Sequence, residues 1–516
     1  MPFFSPSDRR FAVALSELAY CNPFEPERLV LERKALGPDY LAEESVAWSR
    51  TEATAHTERA NVARLAERAE AVAERCRRAL LAGALPTEAE MGHYEDVVSY
   101  VLYYRTLANV TPAGLAGHKS AVAAQWKKFL EGYRHFFDAC PAAPLACQTP
   151  EHLFACLFQL RRAFRQIFDC ILGDSLPAAR LRGKVWQSIF THDMRRYRRS
   201  LFGRMADFST LITGPSGTGK ELVARAIALS QYVAFDPASQ SFAEKADDGF
   251  RPINLSALSA TLLESELFGH CRGSYTGAVA DRVGWLESCP PHGAVFLDEI
   301  GELDETVQVK LLRVVQERVF CRLGETSERS FAGKLIAATN RDLTAEMAAG
   351  RFRQDLYYRL CSDRIDTPTL REQVADRPEA LPGIVRLIAQ RVAGEDADSL
   401  ADEVDTWIAK SMDADYAWPG NIRELEQCVR NVLVRREYTP RAASAIGGRA
   451  LPPWLDGVPE GRLTADELVC RYCTVVYAKL GSYEGAAKAL GLDRRTVRSK
   501  VDAELLASLT GGKEFG

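Results

Sequence analysis

No stretch of this 516-residue chain approaches the roughly 18 consecutive apolar residues that a membrane span requires. A transmembrane reading therefore finds no support. The opening residues, MPFFSPSDRRFAVALSELAY, hold acids and arginines where a signal peptide would be apolar, so retention in the cytoplasm is the expectation. Charge of one sign is also lacking. The formal net charge is −4, which excludes a chain that grips polyanions with its whole surface and confines any nucleic-acid contact to local clusters. Internal repeats are absent. With 47% hydrophobic and 26% charged residues the composition excludes wholesale disorder or a fibrous design. The 13 cysteines are odd in number, scattered and read as lacking a Cys-x-x-Cys pair, which favours reduced, buried thiols over a disulfide framework or a zinc site. The length implies about three or four domains.

Strand-like runs are nearly missing from residues 1–178, which argues against an alternating strand–helix receiver domain there. Helical signals replace them. Val62, Leu65, Ala69, Val72, Cys76 and Leu80 recur at three- and four-residue spacing, a single apolar stripe between Thr57 and Gly83. Thr87 with Glu90 reads as a capping box, and Thr149 before Pro150 as an N-cap before a first-turn proline. Cys140, Cys147, Cys156 and Cys170 lie among Phe136, Phe154, Phe158, Phe164 and Phe168, and read as inert thiols of a helical core rather than a redox or metal sensor. A helical domain sensing a ligand or a protein is the expectation for 1–178. From Arg180 to Arg204 eight Lys or Arg residues face one acid, Asp193, and are expected to form the solvated face of a linker helix.

Past Phe208 the texture changes to short strands alternating with helices: STLITG, RPINLS, GAVFLDEI and KLIAATN. This pattern predicts a parallel-sheet α/β domain over 179–365. A helical stretch follows over 366–438, then a Pro- and Gly-rich linker at 439–461, a last helical unit at 462–507 and a tail at 508–516.

LITGPSGTGKE runs directly from a strand into the helix ELVARAIAL. Glycines at 214, 217 and 219 let backbone N–H groups wrap phosphates, the helix N-terminus favours negative charge, and Lys220 reaches the β/γ oxygens. This is a Walker A loop, Gly214, Pro215, Ser216, Gly217, Thr218, Gly219 and Lys220, in the context it requires. The next residue is Glu221, where most such loops place a Ser or Thr to hold magnesium, so the metal needs other ligands. GAVFLDEIGEL supplies them. Asp298 ends an apolar strand and can hold Mg2+ directly or through water, while Glu299 can polarise the attacking water. Thr339 and Asn340, at the end of KLIAATN, form a third polar strand end suited to the γ-phosphate. ATP with Mg2+ is the expected cofactor pair, and hydrolysis is implied beyond binding.

Over roughly residues 180–436 the sequence resembles the AAA+ ATPase domain of bacterial enhancer-binding proteins, the activators of sigma-54 RNA polymerase. GPSGTGKELVARAI is similar to that family's Walker A, including its Glu after Lys, and LLESELFGH resembles the helix leading to its signature loop GAFTGA, written GSYTGA here. The resemblance implies that Asn254 in PINLS restrains the catalytic Glu299. It further implies that Arg353 and Arg359 in FRQDLYYRL are arginine fingers, and that Arg423 in WPGNIRELEQCVRNVL is the sensor II arginine contacting nucleotide. Fingers must act on a neighbouring subunit, so a ring, hexameric by resemblance, belongs to the catalytic site.

By the same resemblance the loop Gly273, Ser274, Tyr275, Thr276, Gly277 and Ala278 contacts sigma-54 and couples hydrolysis to promoter opening. Ser274 stands for the family's Ala and Tyr275 for its Phe; the glycines permit a hairpin tip presenting an exposed aromatic and a hydroxyl. The end of the chain, SYEGAAKALGLDRRTVRSKV, reads as helix, Gly491-centred turn, helix, with Arg494, Arg495, Thr496, Arg498 and Lys500 on the second helix as DNA contacts. It resembles the Fis-like module of the same family, and residues 464–480 are expected to pair it as a dimer.

The fold expectation is therefore a multidomain chain: an α-helical N-terminal region, an α/β AAA+ P-loop ATPase with a helical lid, and a C-terminal all-α helix-turn-helix. The leading functional expectation is an ATP-hydrolysing activator that binds double-stranded DNA upstream of a promoter and remodels sigma-54 RNA polymerase holoenzyme. A DNA-binding AAA+ regulator acting without sigma-54 and a nucleotide-gated scaffold without turnover are the alternatives.

Overall fold

The computed structural model describes residues 3–42, 59–108, 119–139, 149–242, 249–275, 277–413, 415–440, 463–503 and 505–506. The chain divides into two compact units, Met1–Tyr438 and Thr439–Gly516. The expected linker at 439–461 and the tail at 508–516 lie almost wholly outside the described residues, as do Cys140 and Cys147.

The first unit begins with helices α1 (Pro6–Tyr20), α2 (Glu27–Leu36), α3 (Ala60–Leu81), α4 (Glu88–Thr106), α5 (Lys119–Phe137) and α6 (Pro150–Cys170). Their starts follow local chemistry. Ser5 and Thr149 each accept a backbone N–H from three residues on and precede a first-turn proline, and Thr87 with Glu90 closes a reciprocal capping box. The α3 stripe from Val62 to Leu80 is buried and joins Leu15, Val97, Phe129 and Phe154 in one core. Burial raises the Cys156 thiol to about 12, the behaviour of an inert core cysteine. Cys470 and Cys473, overlooked when the thiols are read as merely scattered, form a Cys-x-x-Cys spacing within one helix; both are free thiols.

Helix α7 (Leu176–Phe190) runs through residue 178, the expected division between regions. The basic run that α7 opens is not a solvated face throughout. Arg182 is 0% exposed and donates to the carbonyls of Ile171 and Gly173, while Arg195 donates to Asp96 at 2.8 Å and Arg198 to Glu95 at 3.4 Å. The reason is pairing: acids on α4 and helix-end carbonyls offer these guanidiniums partners that a charge count along the chain does not reveal.

Five parallel strands then form one sheet: β1 (Thr210–Thr213), β2 (Phe250–Asn254), β3 (Ala294–Asp298), β4 (Lys334–Thr339) and β5 (Asp363–Asp366), in the order β5-β1-β4-β3-β2. Alternation along the strands feeds two cores. Ile212, Phe296, Ile336 and Ala338 pack with Ile189 of α7 and with Val223 and Ile227 of α8 (Lys220–Ala228). Leu211, Val295, Leu297 and Ala337 face the other way, against α9 (Ala260–Phe268), α10 (Glu305–Glu317) and α11 (Gln354–Leu360) through Leu267, Leu311 and Leu356. Truncating Leu311 or Leu356, both fully buried, to Ala costs about 2–5 kcal/mol. A helical lid follows: α12 (Leu370–Asp376), α13 (Ala380–Ala393), α14 (Ala397–Ser411) and α15 (Asn421–Arg435), closed around Ile384, Leu400, Leu425 and Val429.

The second unit contains α16 (Ala465–Leu480), α17 (Tyr483–Leu490) and α18 (Arg494–Lys500). Gly481 and Gly491 end the first two helices at φ +64° and +66°, values that favour glycine. Ala486, Ala487 and Val497 are its buried centre, with Leu490 and Val501 packed against them. Among the described residues no helix is long and apolar enough to cross a membrane.

Candidate nucleotide pocket, loop and basic helix

Four strand ends lie along one edge of the sheet: Thr213 pairs with Thr339 across β1 and β4, and Asn254 with Asp298 across β2 and β3. Ligands of open parallel sheets sit at such carboxyl ends. From Thr213 the chain enters the loop Gly214–Lys220, where Gly217 takes φ +78°. A Cβ at Gly217 would lie 2.2 Å from the Gly420 carbonyl oxygen, so glycine is required both by backbone sign and by contact. Thr218 donates to the Pro215 carbonyl at 2.8 Å and meets Thr367 Oγ1 at 2.7 Å, bracing the turn from inside.

Lys220 is 8% exposed, and its ammonium donates to the carbonyls of Gly214 (2.9 Å) and Pro215 (3.2 Å). Burial lowers its pKa, opposed by Glu299 and Asp298. Burial also raises Asp298, with Lys220 pulling the other way. The two groups thus share a partly desolvated space where charge acts strongly. Glu299 occupies a left-handed conformation at φ +60°, costly for a non-glycine residue, and its carboxylate accepts the Asn340 N–H at 3.2 Å. Thr339 Oγ1 accepts the Arg341 N–H at 3.0 Å, and Glu221 is exposed on α8.

Asn254 sits beside Asp298 in register, yet its Oδ1 accepts from the N–H and hydroxyl of Ser256 (3.0 and 2.8 Å). Among the described residues no hydrogen bond joins Asn254 to Glu299. The competing acceptor geometry is an Asx-type turn two residues on, which a side chain of this length adopts readily. Arg423 does reach the loop, donating to Ser216 Oγ at 3.2 Å. Arg353 and Arg359 lie on the turn and helix of α11, with no hydrogen bond or ion pair to the glycine loop among the described residues. Arg353 pairs with Asp355 (2.7 Å) and Glu305 (3.8 Å); Arg359 is exposed and has no acidic partner among the described residues.

Three residues of this pocket escape a motif reading. Asn421 donates to the Ser216 carbonyl and accepts the Leu370 N–H, and Ile422 N–H donates to the Gly217 carbonyl at 3.0 Å. Thr367 braces Thr218. The signal for Asn421 was the Pro419–Gly420–Asn421 turn before a helix, which marks a tight start but names no partner.

The segment GSYTGA leaves a short antiparallel pair, Gly269–His270 with Arg282–Val283. Gly273 N–H donates to the Ala278 carbonyl at 2.9 Å and Ala278 N–H to the Tyr275 carbonyl at 3.0 Å, so the segment is a closed turn. Thr276 lies outside the described residues. Tyr275 is half-buried rather than exposed, because its ring packs edge-on at 5.1 Å against His270. The exposed apolar side chain here is Val279, at 80%.

On α18, Asp493 caps the helix by accepting the N–H groups of Arg495 and Thr496. Arg494, Arg495 and Arg498 are exposed without acidic partners among the described residues, and Thr496 donates its hydroxyl to Asp493. Lys500 differs from the other cations, being paired with Asp466 of α16.

A five-stranded parallel sheet in this order, with a glycine loop after β1 and a helical lid over that loop, defines an AAA+ α/β domain. Residues 192–366 match the family model described as "Sigma-54 interaction domain". The chain is 40% identical over 309 residues to the transcriptional regulatory protein ZraR of Klebsiella oxytoca, covering 57% of this chain and 63% of that one. It is 36% identical to the hydrogenase transcriptional regulatory protein HoxA of Bradyrhizobium diazoefficiens (60% and 62% covered). Against the Nif-specific regulatory protein of Azotobacter vinelandii it is 37% identical (57% and 53% covered). The matches therefore span less than two thirds of each relative's length. Residues 192–366 thus carry a sigma-54 interaction domain of AAA+ type, and over that stretch the chain is similar to these transcriptional regulators.

Proposed function

We propose that the protein is an ATP-hydrolysing, DNA-binding transcriptional activator that remodels sigma-54 RNA polymerase holoenzyme to open promoters. The observation that carries this is the convergence of Lys220, Asp298, Glu299 and Arg423 on one loop of glycine amides beneath a lid. The loop amides and the α8 N-terminus receive ATP phosphates, and Lys220 exchanges its two loop carbonyls for the β/γ oxygens. The donor set fits a magnesium nucleotide: Asp298 is a carboxylate raised by burial and only partly offset by Lys220, which a divalent cation would relieve. Bound Mg2+ neutralises charge on the phosphate oxygens. Glu299, oriented by the Asn340 N–H, accepts a proton from the attacking water, and Thr339 and Asn340 face the γ-phosphate. To restrain Glu299, Asn254 must first give up its bonds with Ser256.

Arg359, exposed and unpaired by acids, suits insertion into a neighbouring subunit's pocket; Arg353 must first leave Asp355. That requirement makes a homo-oligomeric ring part of the site. The GSYTGA segment contacts sigma-54, and α16–α18 form a helix-turn-helix that holds DNA through Arg494, Arg495, Thr496 and Arg498. A cytoplasmic location follows from such partners.

Packing of Tyr275 on His270 favours one alternative, a DNA-binding ATPase that does not engage sigma-54. Measuring ATP hydrolysis alongside open-complex formation with purified sigma-54 polymerase tests both. Hydrolysis with promoter opening supports the activator, hydrolysis alone supports the alternative, and neither removes both.

A further inference from the structure

Between α1, α4, α6 and α7, away from the nucleotide loop, the first unit encloses a cavity of about 120 Å³. Aromatic rings form a large part of its wall, among them Tyr20, Tyr100, Tyr104, Phe164, Trp186 and Phe190. Tyr100 and Tyr104 stand 4.6 Å apart and Trp186 and Phe190 4.5 Å apart, tilted pairs that leave ring faces and edges toward a guest. Concave, apolar walls with a few fixed polar groups are the ordinary make-up of a small-molecule site.

Three donors of this wall are buried. Trp186 Nε1 and Arg198 Nε are buried with no hydrogen-bond partner among the described residues, Trp186 is 3% exposed, and the buried Tyr100 hydroxyl has only the Tyr104 hydroxyl beside it. All three can donate. The carboxylate of the wall, Asp96, is already occupied by Ser16 (2.8 Å), Tyr20 (2.6 Å) and Arg195 (2.8 Å). Buried donors in native proteins are nearly always matched, so two unmatched ones, with a tyrosine pair able to turn toward the same apolar space, call for acceptor oxygens on a flat body. We propose that this cavity binds a small aromatic carboxylate, its ring among the tyrosines and Trp186 and its carboxylate accepting from Tyr100, Trp186 and Arg198.

The site is independent of the ATPase reading, although its wall adjoins it: Trp186 lies on α7, whose Ile189 packs with Ile212 and Ile336 of the sheet. Calorimetric titration of the full chain with benzoate and with benzylamine tests it, in the wild type and in Tyr100→Phe and Trp186→Phe. Tyr100→Phe keeps its ring and Trp186→Phe keeps an aromatic, though smaller, side chain; each removes one donor. The expected result is saturable benzoate binding, weakened about tenfold in each variant, with benzylamine failing to bind. Unliganded thermal unfolding of each variant shows that it is folded. Three results overturn the proposal: no saturable benzoate binding up to about 10 mM, unchanged affinity in both variants, or benzylamine binding as tightly as benzoate.

Discussion

Asn421, the first residue of the last lid helix, donates its side-chain amide to the Ser216 carbonyl of the glycine loop at 3.0 Å while its own Oδ1 accepts the Leu370 N–H at 2.9 Å. One buried side chain thus ties loop, lid entry and lid exit together. Asn421→Ala removes both bonds and strands two backbone groups, with an expected loss of about 1–3 kcal/mol of stability and about tenfold in ATP affinity. Asn421→Asp keeps the acceptor and loses the donor, so nucleotide affinity should fall further than stability. Denaturant unfolding and nucleotide titration of the two variants check this.

Arg359→Ala and Glu299→Gln should each reduce ATP turnover by about 10³-fold, as expected for loss of a charge-stabilising finger or of the water-orienting carboxylate. Mixed together, the two inactive proteins should recover part of the rate, since a Glu299→Gln subunit can still lend its finger to a neighbour with an intact Glu299. A mixture as inactive as its parts excludes a shared pocket.

The helices of the second unit give a test in which neighbouring cations behave differently. Replacing Arg494, Arg495 or Arg498 by Ala should weaken binding to duplex DNA and lower the salt slope by about 1 each. Lys500→Ala should change binding little, because Lys500 is engaged by Asp466. Fluorescence anisotropy across a salt series separates the four.

Lys334 is fully buried on β4, its ammonium held by the Met205 (3.2 Å) and Phe208 (2.7 Å) carbonyls, and burial lowers its pKa to about 8 from 10.5. Between those values the unfolded chain holds a proton that the folded chain has released, so stability rises with pH across that window. Lys334→Met lacks this gain, and the stability gap between wild type and variant should widen by about 3 kcal/mol from pH 8 to 10.5. Denaturant midpoints over that range check it.

Much of the candidate nucleotide pocket is legible because its chemistry is local. The P-loop glycines, Lys220, Asp298 and Glu299 sit where a strand meets a turn, and strand ends can be read from short apolar runs. Caps at Thr87 and Thr149 are equally local. What escaped depends on partners distant in sequence: Arg182, Arg195 and Arg198 look like a solvated face until Ile171, Glu95 and Asp96 are placed beside them. Tyr275 looked exposed because nothing in GSYTGA announces His270 as a neighbour, and Asn421 carried no motif. Side-chain pairing across the fold, more than local propensity, separated the two groups.

Energy transfer from the nucleotide pocket to the polymerase is measured most directly with Thr276→Ala, assayed for ATP turnover and for promoter opening by sigma-54 holoenzyme in the same reaction. Turnover near that of the wild type with open complexes lost is the expected result. Open complexes forming at the wild-type rate in that variant would contradict a role for the loop in delivering the energy of hydrolysis.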